Sequence, residues 1–284
     1  MRFTPGKARA ASVRIGKLTG IQVPRSEAEN GASIVCLEMA KEHDVRGEIL
    51  VDLDKRVPIG LGMGSSGASA AAAAVAMNEL LGLGLSEDEL VFYAGMAEGA
   101  TSGSRHYDNV AASILGGFVV VRTGEGEELT TARFDPPAGL ALCVATPVVI
   151  LPSRKTEYAR SLLPDSVPLG TLVSNVGNAS LMVSGFAKKD IKLIGKGMTD
   201  RAVELARKSM IPGFDKVRSG ALEAGAEGVC ISGAGPSMLA MVDKRRSRPE
   251  KVLEAMRAAF AKEGTKSSGY VTKIGRGARV VKGS

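Results

Sequence analysis

Residues 12–24 alternate between apolar and polar positions and are predicted to be extended. Residues 27–42 carry Ile34, Leu37 and Met39 at helical spacing, and residues 47–53 alternate again, so the chain opens strand, helix, strand. A glycine cluster separates this opening from Ser65–Leu81, which reads as a helix made mostly of alanine. The next helix begins at Ser86, where an N-cap serine and Glu89 three residues on form a capping box, and runs to about Ala100. A Ser-Gly-Ser loop leads into residues 105–109, a short helix follows, and residues 117–122 read as a strand that ends in a turn at 123–126.

Residues 140–146 then form a buried apolar run of strand length, 156–163 and 172–186 have helical spacing, and two shorter helices follow. Strands are expected at 229–232 and 238–242, a helix at 249–261, and a closing β pair around Tyr270 and Val280. Strands and helices alternate without the even spacing of a doubly wound parallel sheet. The expected class is therefore α+β, with helices on mostly antiparallel sheets. Pro136 and Pro137 mark the expected division into two domains, 1–136 and 137–284.

A chain of 284 residues can fill two such cores without disulfide or metal staples. It is 44% hydrophobic and 24% charged, with no apolar run long enough to span a bilayer, which predicts a soluble protein with no membrane partner. Arg2, Lys7 and Arg9 are not followed by an apolar segment and a small-residue cleavage site, so a cytoplasmic location is expected. Cys36, Cys143 and Cys230 are far apart in apolar surroundings and read as reduced thiols rather than a disulfide or zinc framework. The 37 basic and 30 acidic residues leave +7, which favours an anionic ligand, either a nucleotide or a nucleic acid. Only residues 244–248 form a dense basic patch, and four Tyr, seven Phe and no Trp offer little surface for stacking bases, so nucleic acid is the weaker choice.

The 35 glycines gather in short clusters. The most telling is Pro58-Ile-Gly-Leu-Gly-Met-Gly-Ser-Ser-Gly-Ala-Ser, in which a strand exit, a glycine loop and a helix start follow in order. Glycines let the main chain approach phosphate oxygens, and the free N–H groups of the following helix favour an anion there. The helix dipole supplies only about 0.3 to 2 kcal/mol, so binding must rest on several charge-assisted hydrogen bonds from amides between Gly62 and Gly67. No Lys-Ser or Lys-Thr follows the last glycine, which excludes the Walker pattern, and the spacing is not the dinucleotide fingerprint. A glycine-rich turn before an alanine-rich core helix is the plain structural alternative.

The run Pro58 to Ser66 resembles the second signature of the GHMP kinases, Pro-x-x-x-Gly-Leu-Gly-Ser-Ser, with Met63 in place of the usual Leu. Ser102-Gly-Ser-Arg-His-Tyr-Asp-Asn-Val-Ala-Ala with Leu115-Gly-Gly resembles the substrate segment of the homoserine kinase branch. Ile231-Ser-Gly-Ala-Gly-Pro-Ser-Met resembles the third signature in the wording of that branch. The resemblance implies a two-domain GHMP kinase fold, with a ribosomal-protein-like first domain and a ferredoxin-like second. It also implies ATP and Mg²⁺, phosphoryl transfer to the side-chain hydroxyl of L-homoserine on the route to threonine, and a homodimer. Family members carry a further opening segment, Pro-Ala-Thr-x-Ala-Asn-Leu-Gly-Pro-Gly-Phe-Asp, with no counterpart in this sequence. The first sheet is accordingly expected to lack its opening strands, and the acceptor site an Asn and an Asp.

Carried over by this resemblance, Pro58, Gly60, Leu61, Gly62, Met63, Gly64, Ser65, Ser66 and Gly67 would cradle the phosphates, and Ser66 and Glu98 would hold Mg²⁺. A hydroxyl and one carboxylate, completed by phosphates and waters, is a set magnesium favours; a solvated helix face is the other reading of Glu98. Asn30 and Lys55 would meet adenine and ribose, or else cap and solvate their own elements. Asp108 would take the acceptor's ammonium, Asn109 its attacking hydroxyl, and Arg160 and Arg207 its carboxylate, with Thr156 and Gly233 lining the same site. His106 would support the acceptor or the transferred charge, or play a structural part. Ser66, Glu98, Asn109 and Arg207 are the catalytic candidates, and no strong general base is nominated because positioning and charge neutralisation dominate phosphoryl transfer. A kinase for another alcohol such as mevalonate, a nucleotide binder without catalysis, and a basic nucleic-acid binder remain as alternatives.

Overall fold

A computed structural model describes residues 1–6, 10–23, 26, 29–102, 107–124, 128–150 and 155–281, the side chains of 100–102 and 156 excepted. The chain forms two compact units. One comprises Met1–Ile59, Gly64–Arg133 and the tail from Gly275; the other comprises Gly60–Met63 and Phe134–Ile274.

The first unit contains strands β1 (Arg2–Pro5), β2 (Ala11–Gly20) and β3 (Gly47–Lys55), with helix α1 (Gly31–Glu42) between the last two. Helices α2 (Ser65–Leu81), α3 (Glu87–Ser102) and α4 (Tyr107–Leu115) follow, then the paired strands β4 (Phe118–Thr123) and β5 (Leu129–Phe134). The sheet order is β1-β3-β2, with β1 antiparallel and β2 parallel to β3. Val13, Ile15, Ile49 and Val51 point from this sheet into the core and meet Val35 and Met39 of α1. Helix α2 is buried along Ala70, Ala71, Ala73, Ala74 and Met77 because α1, α3 and α4 all pack on it. Alanine suits that position: it is the best helix former and its single methyl lets three neighbours approach. At the crossing of α3 and α4 a Cβ on Gly95 would lie 2.3 Å from the Tyr107 ring, so only glycine fits there.

The second unit runs β6 (Leu140–Pro147), α5 (Lys155–Ser161), α6 (Leu169–Lys188), α7 (Ile191–Gly197) and α8 (Val203–Arg207), followed by a single 3₁₀ turn, Lys208–Met210. It continues through α9 (Phe214–Glu223), β7 (Gly228–Ile231), β8 (Met238–Asp243), α10 (Pro249–Lys262) and β9 (Ser267–Thr272). Its four strands are ordered β7-β8-β6-β9, all antiparallel. Cys143, Met238, Ala240 and Val242 of the sheet are covered by Phe214, Val217, Val252, Met256 and Phe260, the apolar faces of α9 and α10. Complete burial of a side chain as large as Phe260 contributes about 1.5 to 3 kcal/mol.

The architecture is α+β as expected, and α2 and the capping box stand where the sequence puts them. Ser86 N–H donates to the Glu89 carboxylate at 2.8 Å, and Glu89 N–H to the Ser86 hydroxyl at 3.3 Å. Four readings are corrected. Strand β1 was not foreseen, and the parallel pairing of β2 with β3 makes the first sheet mixed rather than antiparallel. Helix α1 starts at Gly31, because the Asn30 side chain accepts from Ala32 N–H at 3.0 Å and caps it there. Helix α4 starts at Tyr107, which places Asp108 and Asn109 in its first turn rather than in the preceding loop. Val280 lies outside any strand: the tail instead follows α4, with Ala278 N–H donating to Ile114 carbonyl at 3.0 Å. Tyr270 does lie in a strand, β9, whose partner is β6.

All three cysteines are free thiols, Cys36 and Cys143 buried and Cys230 half-buried, and burial pushes Cys36 up to about 12. Among the described residues no helix is long and apolar enough to cross a membrane.

Candidate active site

In the first unit, strand β3 delivers Lys55 to the start of α2. Gly60, Gly62 and Gly64 all adopt positive φ, between 65° and 79°, which turns the chain sharply into α2 without the Cβ penalty other residues would carry. Gly64 is the N-cap of α2 and no side chain caps it, so the first-turn N–H groups remain turned to whatever lies beyond the helix start. A Cβ on Gly64 would stand 3.4 Å from Asn109 Oδ1, and one on Gly67 would stand 3.1 Å from Asn109 Cβ. A Cβ on Gly31 would stand 3.9 Å from Ser66 Oγ. Three helix N-termini, those of α1, α2 and α4, thus converge on Ser66 and its neighbours.

A cavity of about 300 Å³ opens in this unit, lined by Asn30, Gly31, Lys55, Ile59, Ser65 and Ser66 among others. Lys55 is 5% exposed, and its ammonium donates to Ser65 carbonyl and Ser69 hydroxyl. Burial lowers its pKa, and the nearby Glu98 carboxylate works against that shift. Glu98 itself, on α3, is buried. A buried cation beside uncapped helix amides suits an anionic ligand. The described residues hold no cluster of three or more His, Cys, Asp or Glu side chains. One hydroxyl, Ser66, and one buried carboxylate, Glu98, completed by phosphates and water, would be a donor set that magnesium accepts.

Of the acceptor candidates in this unit, Asp108 is exposed and Asn109 half-buried, both on the first turn of α4. Tyr107, wedged on Gly95, fixes that turn. His106 lies outside the described residues, as does the side chain of Thr156.

In the second unit, the loop after β7 meets Gly60–Met63 directly. Ser232 Oγ donates to Gly62 carbonyl at 2.8 Å, and a Cβ on Gly62 would lie 2.0 Å from Ser232 carbonyl oxygen. Gly233, at φ 54°, leaves only 2.9 Å between a notional Cβ and Gly62 carbonyl oxygen. Tyr270 hydroxyl donates to Met63 Sδ at 3.0 Å, a contact that the leucine usual at this position could not accept. Arg207 Nε donates to Ala159 carbonyl at 3.0 Å, which holds α8 against α5 and brings Arg207 toward Arg160. Burial first, then the charge of Arg160, lowers the Arg207 pKa, with Asp200 opposing. A second cavity of about 270 Å³ reaches from Arg207 and Gly233 to Asn175, Asp200, Glu204 and Cys230.

Sequence reasoning missed Lys155, which is 8% exposed and donates to Gly235 carbonyl at 2.7 Å. It also missed Tyr270 as a partner of Met63. Neither carries a local signal beyond lying next to Thr156 in one case and in an apolar alternation in the other.

Residues 31–117 match the family model described as GHMP kinases N terminal domain, and residues 182–262 match GHMP kinases C terminal. The chain belongs to the GHMP kinase family. Within it, the chain is similar to the homoserine kinase of Methanocella arvoryzae, at 39% identity over 259 residues, 91% of this chain and 81% of that protein. It is 38% identical to the homoserine kinase of Natronomonas pharaonis over 274 residues, 96% of this chain and 88% of that protein. The crystal structure of homoserine kinase from Cytophaga hutchinsonii superposes with a TM-score of 0.85 at 35% identity, covering 97% of this chain and 85% of that one.

Proposed function

We propose that this chain is a homoserine kinase that moves the γ-phosphoryl of ATP to the side-chain hydroxyl of L-homoserine. In that reaction the acceptor oxygen bonds to the γ phosphorus, the bond from that phosphorus to the bridging oxygen breaks, ADP leaves and the hydroxyl proton is released. Amides of the first glycine loop and of the α2 N-terminus hold the phosphates, and the second glycine loop supports the first. Ser66 and Glu98 would hold Mg²⁺, whose charge offsets that of the transferred group. Asp108 receives the acceptor's ammonium and Asn109 its hydroxyl, while Arg160 and Arg207 receive the carboxylate through the two-pronged geometry of guanidinium.

The observation that carries this reading is the approach of Arg207 to Arg160: two guanidinium groups gathered beside a glycine loop suit a small carboxylate. An ATP-consumption assay with L-homoserine, L-threonine, L-serine and mevalonate tests it. Homoserine should give the highest kcat/KM, and faster turnover of any of the others would remove the assignment. The reading carries with it a cytoplasmic location, where ATP and free amino acids meet, and a homodimer, which sedimentation velocity would refute by finding a monomer at micromolar concentration.

A further inference from the structure

Helix α5 begins with a lysine to which neither the signatures nor the acceptor set gives a role. Lys155 is buried, and its ammonium donates to Gly235 carbonyl at 2.7 Å. The same carbonyl oxygen faces the other glycine loop, since a Cβ on Gly62 would come within 2.9 Å of it. Gly235 carbonyl is thus held between Lys155 and the backbone of Gly62. Among the described residues no carboxylate pairs with this ammonium. The charged group acting on it is Arg207 from α8, another cation, itself influenced by Arg160 on α5 and by Asp200. The loop from Ser232 to Ser237 brings no titratable side chain. Burying an ammonium without a counter-ion is costly, and a leucine or methionine would fill the space without that cost. What an apolar side chain could not do is hold a carbonyl.

We propose that Lys155 is a positioning residue of the nucleotide site, its ammonium clamping Gly235 carbonyl so that the second glycine loop is pressed against Gly62 and the first loop is set to receive a polyphosphate. This rests on the reading of Gly60–Met63 as a phosphate loop. Burial, then the charge of Arg207, brings the Lys155 pKa down to about 8. The group therefore carries its proton below that pH and loses it as pH rises, and the clamp weakens in the same direction.

The test compares the full chain with Lys155→Met, which keeps the length of the stem and removes the donor. Calorimetric titration with ATP in the absence of any amino acid should show affinity weakened about tenfold or more, as expected for loss of a charge-assisted bond. The parent should show a fall of kcat/KM for ATP above about pH 8 that the variant lacks, while KM for homoserine stays within about twofold. A folded variant whose ATP affinity lies within about twofold of the parent, or which keeps the alkaline fall, overturns the inference. If Lys155→Met does not fold, the parent alone decides: its ATP affinity must weaken between pH 7 and pH 10, and a flat profile overturns the inference. A parent chain that binds ATP but does not turn over homoserine removes the acceptor assignment and leaves this comparison valid. One that binds no ATP removes the inference together with the phosphate loop.

Discussion

Ser232 donates its side-chain hydroxyl to the main-chain carbonyl of Gly62 at 2.8 Å, across a separation of 170 positions in sequence. The bond joins the two glycine loops at a point where neither can carry a side chain. A Cβ on Gly62 would meet Ser232 carbonyl oxygen at 2.0 Å, and one on Gly233 would meet Gly62 carbonyl oxygen at 2.9 Å.

Gly62→Ala should therefore do more damage than Gly60→Ala. Both residues have positive φ, so each substitution introduces roughly 1 to 2 kcal/mol of backbone strain. Only at Gly62 must the loops also separate, since nothing lies within 4 Å of a Cβ on Gly60. ATP affinity measured by calorimetry should drop about tenfold or more for Gly62→Ala and about threefold or less for Gly60→Ala. Equal losses would mean that contact between the loops does not shape the nucleotide site.

Asp108→Ala should raise KM for homoserine by about 10- to 100-fold, equivalent to roughly 1.5 to 3 kcal/mol for a charge-assisted hydrogen bond. KM for ATP should scarcely change, because Asp108 stands on the first turn of α4 and does not line the cavity shared by Lys55 and Ser66. Steady-state kinetics with each substrate varied in turn gives both values. Matching increases would make Asp108 a residue of the fold rather than of the acceptor.

Asp243 offers a prediction in pH. It accepts from Arg245 Nε at 2.8 Å and from Arg245 Nη2 at 2.7 Å, and these hydrogen bonds hold its pKa below the ordinary 3.8. A depressed carboxyl stabilises the fold above its unfolded value and loses that contribution as pH falls through the folded value. Asp243→Asn should accordingly cost about 1 kcal/mol at pH 7, a modest figure because Arg245 is largely exposed and screened. The gap between parent and variant in urea unfolding should narrow below pH 3.8. A gap that does not change with pH would show that the pair contributes shape and not charge.

The elements visible in the sequence are those whose cause is local. Ser65–Leu81 could be bounded because Gly64 and Gly82, both left-handed, stand at its ends, and the capping box at Ser86 needs only Glu89 three residues away. The start of α1 was misjudged because acidic residues before Asn30 continue a plausible helical pattern, while the cap that ends it is a single hydrogen bond to Ala32. Val280 looked like a strand because its neighbours alternate. The tail instead pairs with the end of α4, Ala278 N–H donating to Ile114 carbonyl and Gly117 N–H to Gly275 carbonyl, and nothing in residues 275–281 announces those partners.

By itself the sequence determined the glycine loops, the alanine helix and the order of strands and helices apart from β1 and β5. Positive φ and close backbone approach can be met only by glycine, and helical or strand periodicity is written into neighbouring positions. Only the tertiary structure decided that Ser232 meets Gly62, that Arg207 rests on α5 beside Arg160, and that Lys55 and Lys155 are buried beneath helix and loop rather than solvated at the surface. A lysine has the same residue type inside or out, and which it becomes depends on segments that return from far along the chain to remove its water.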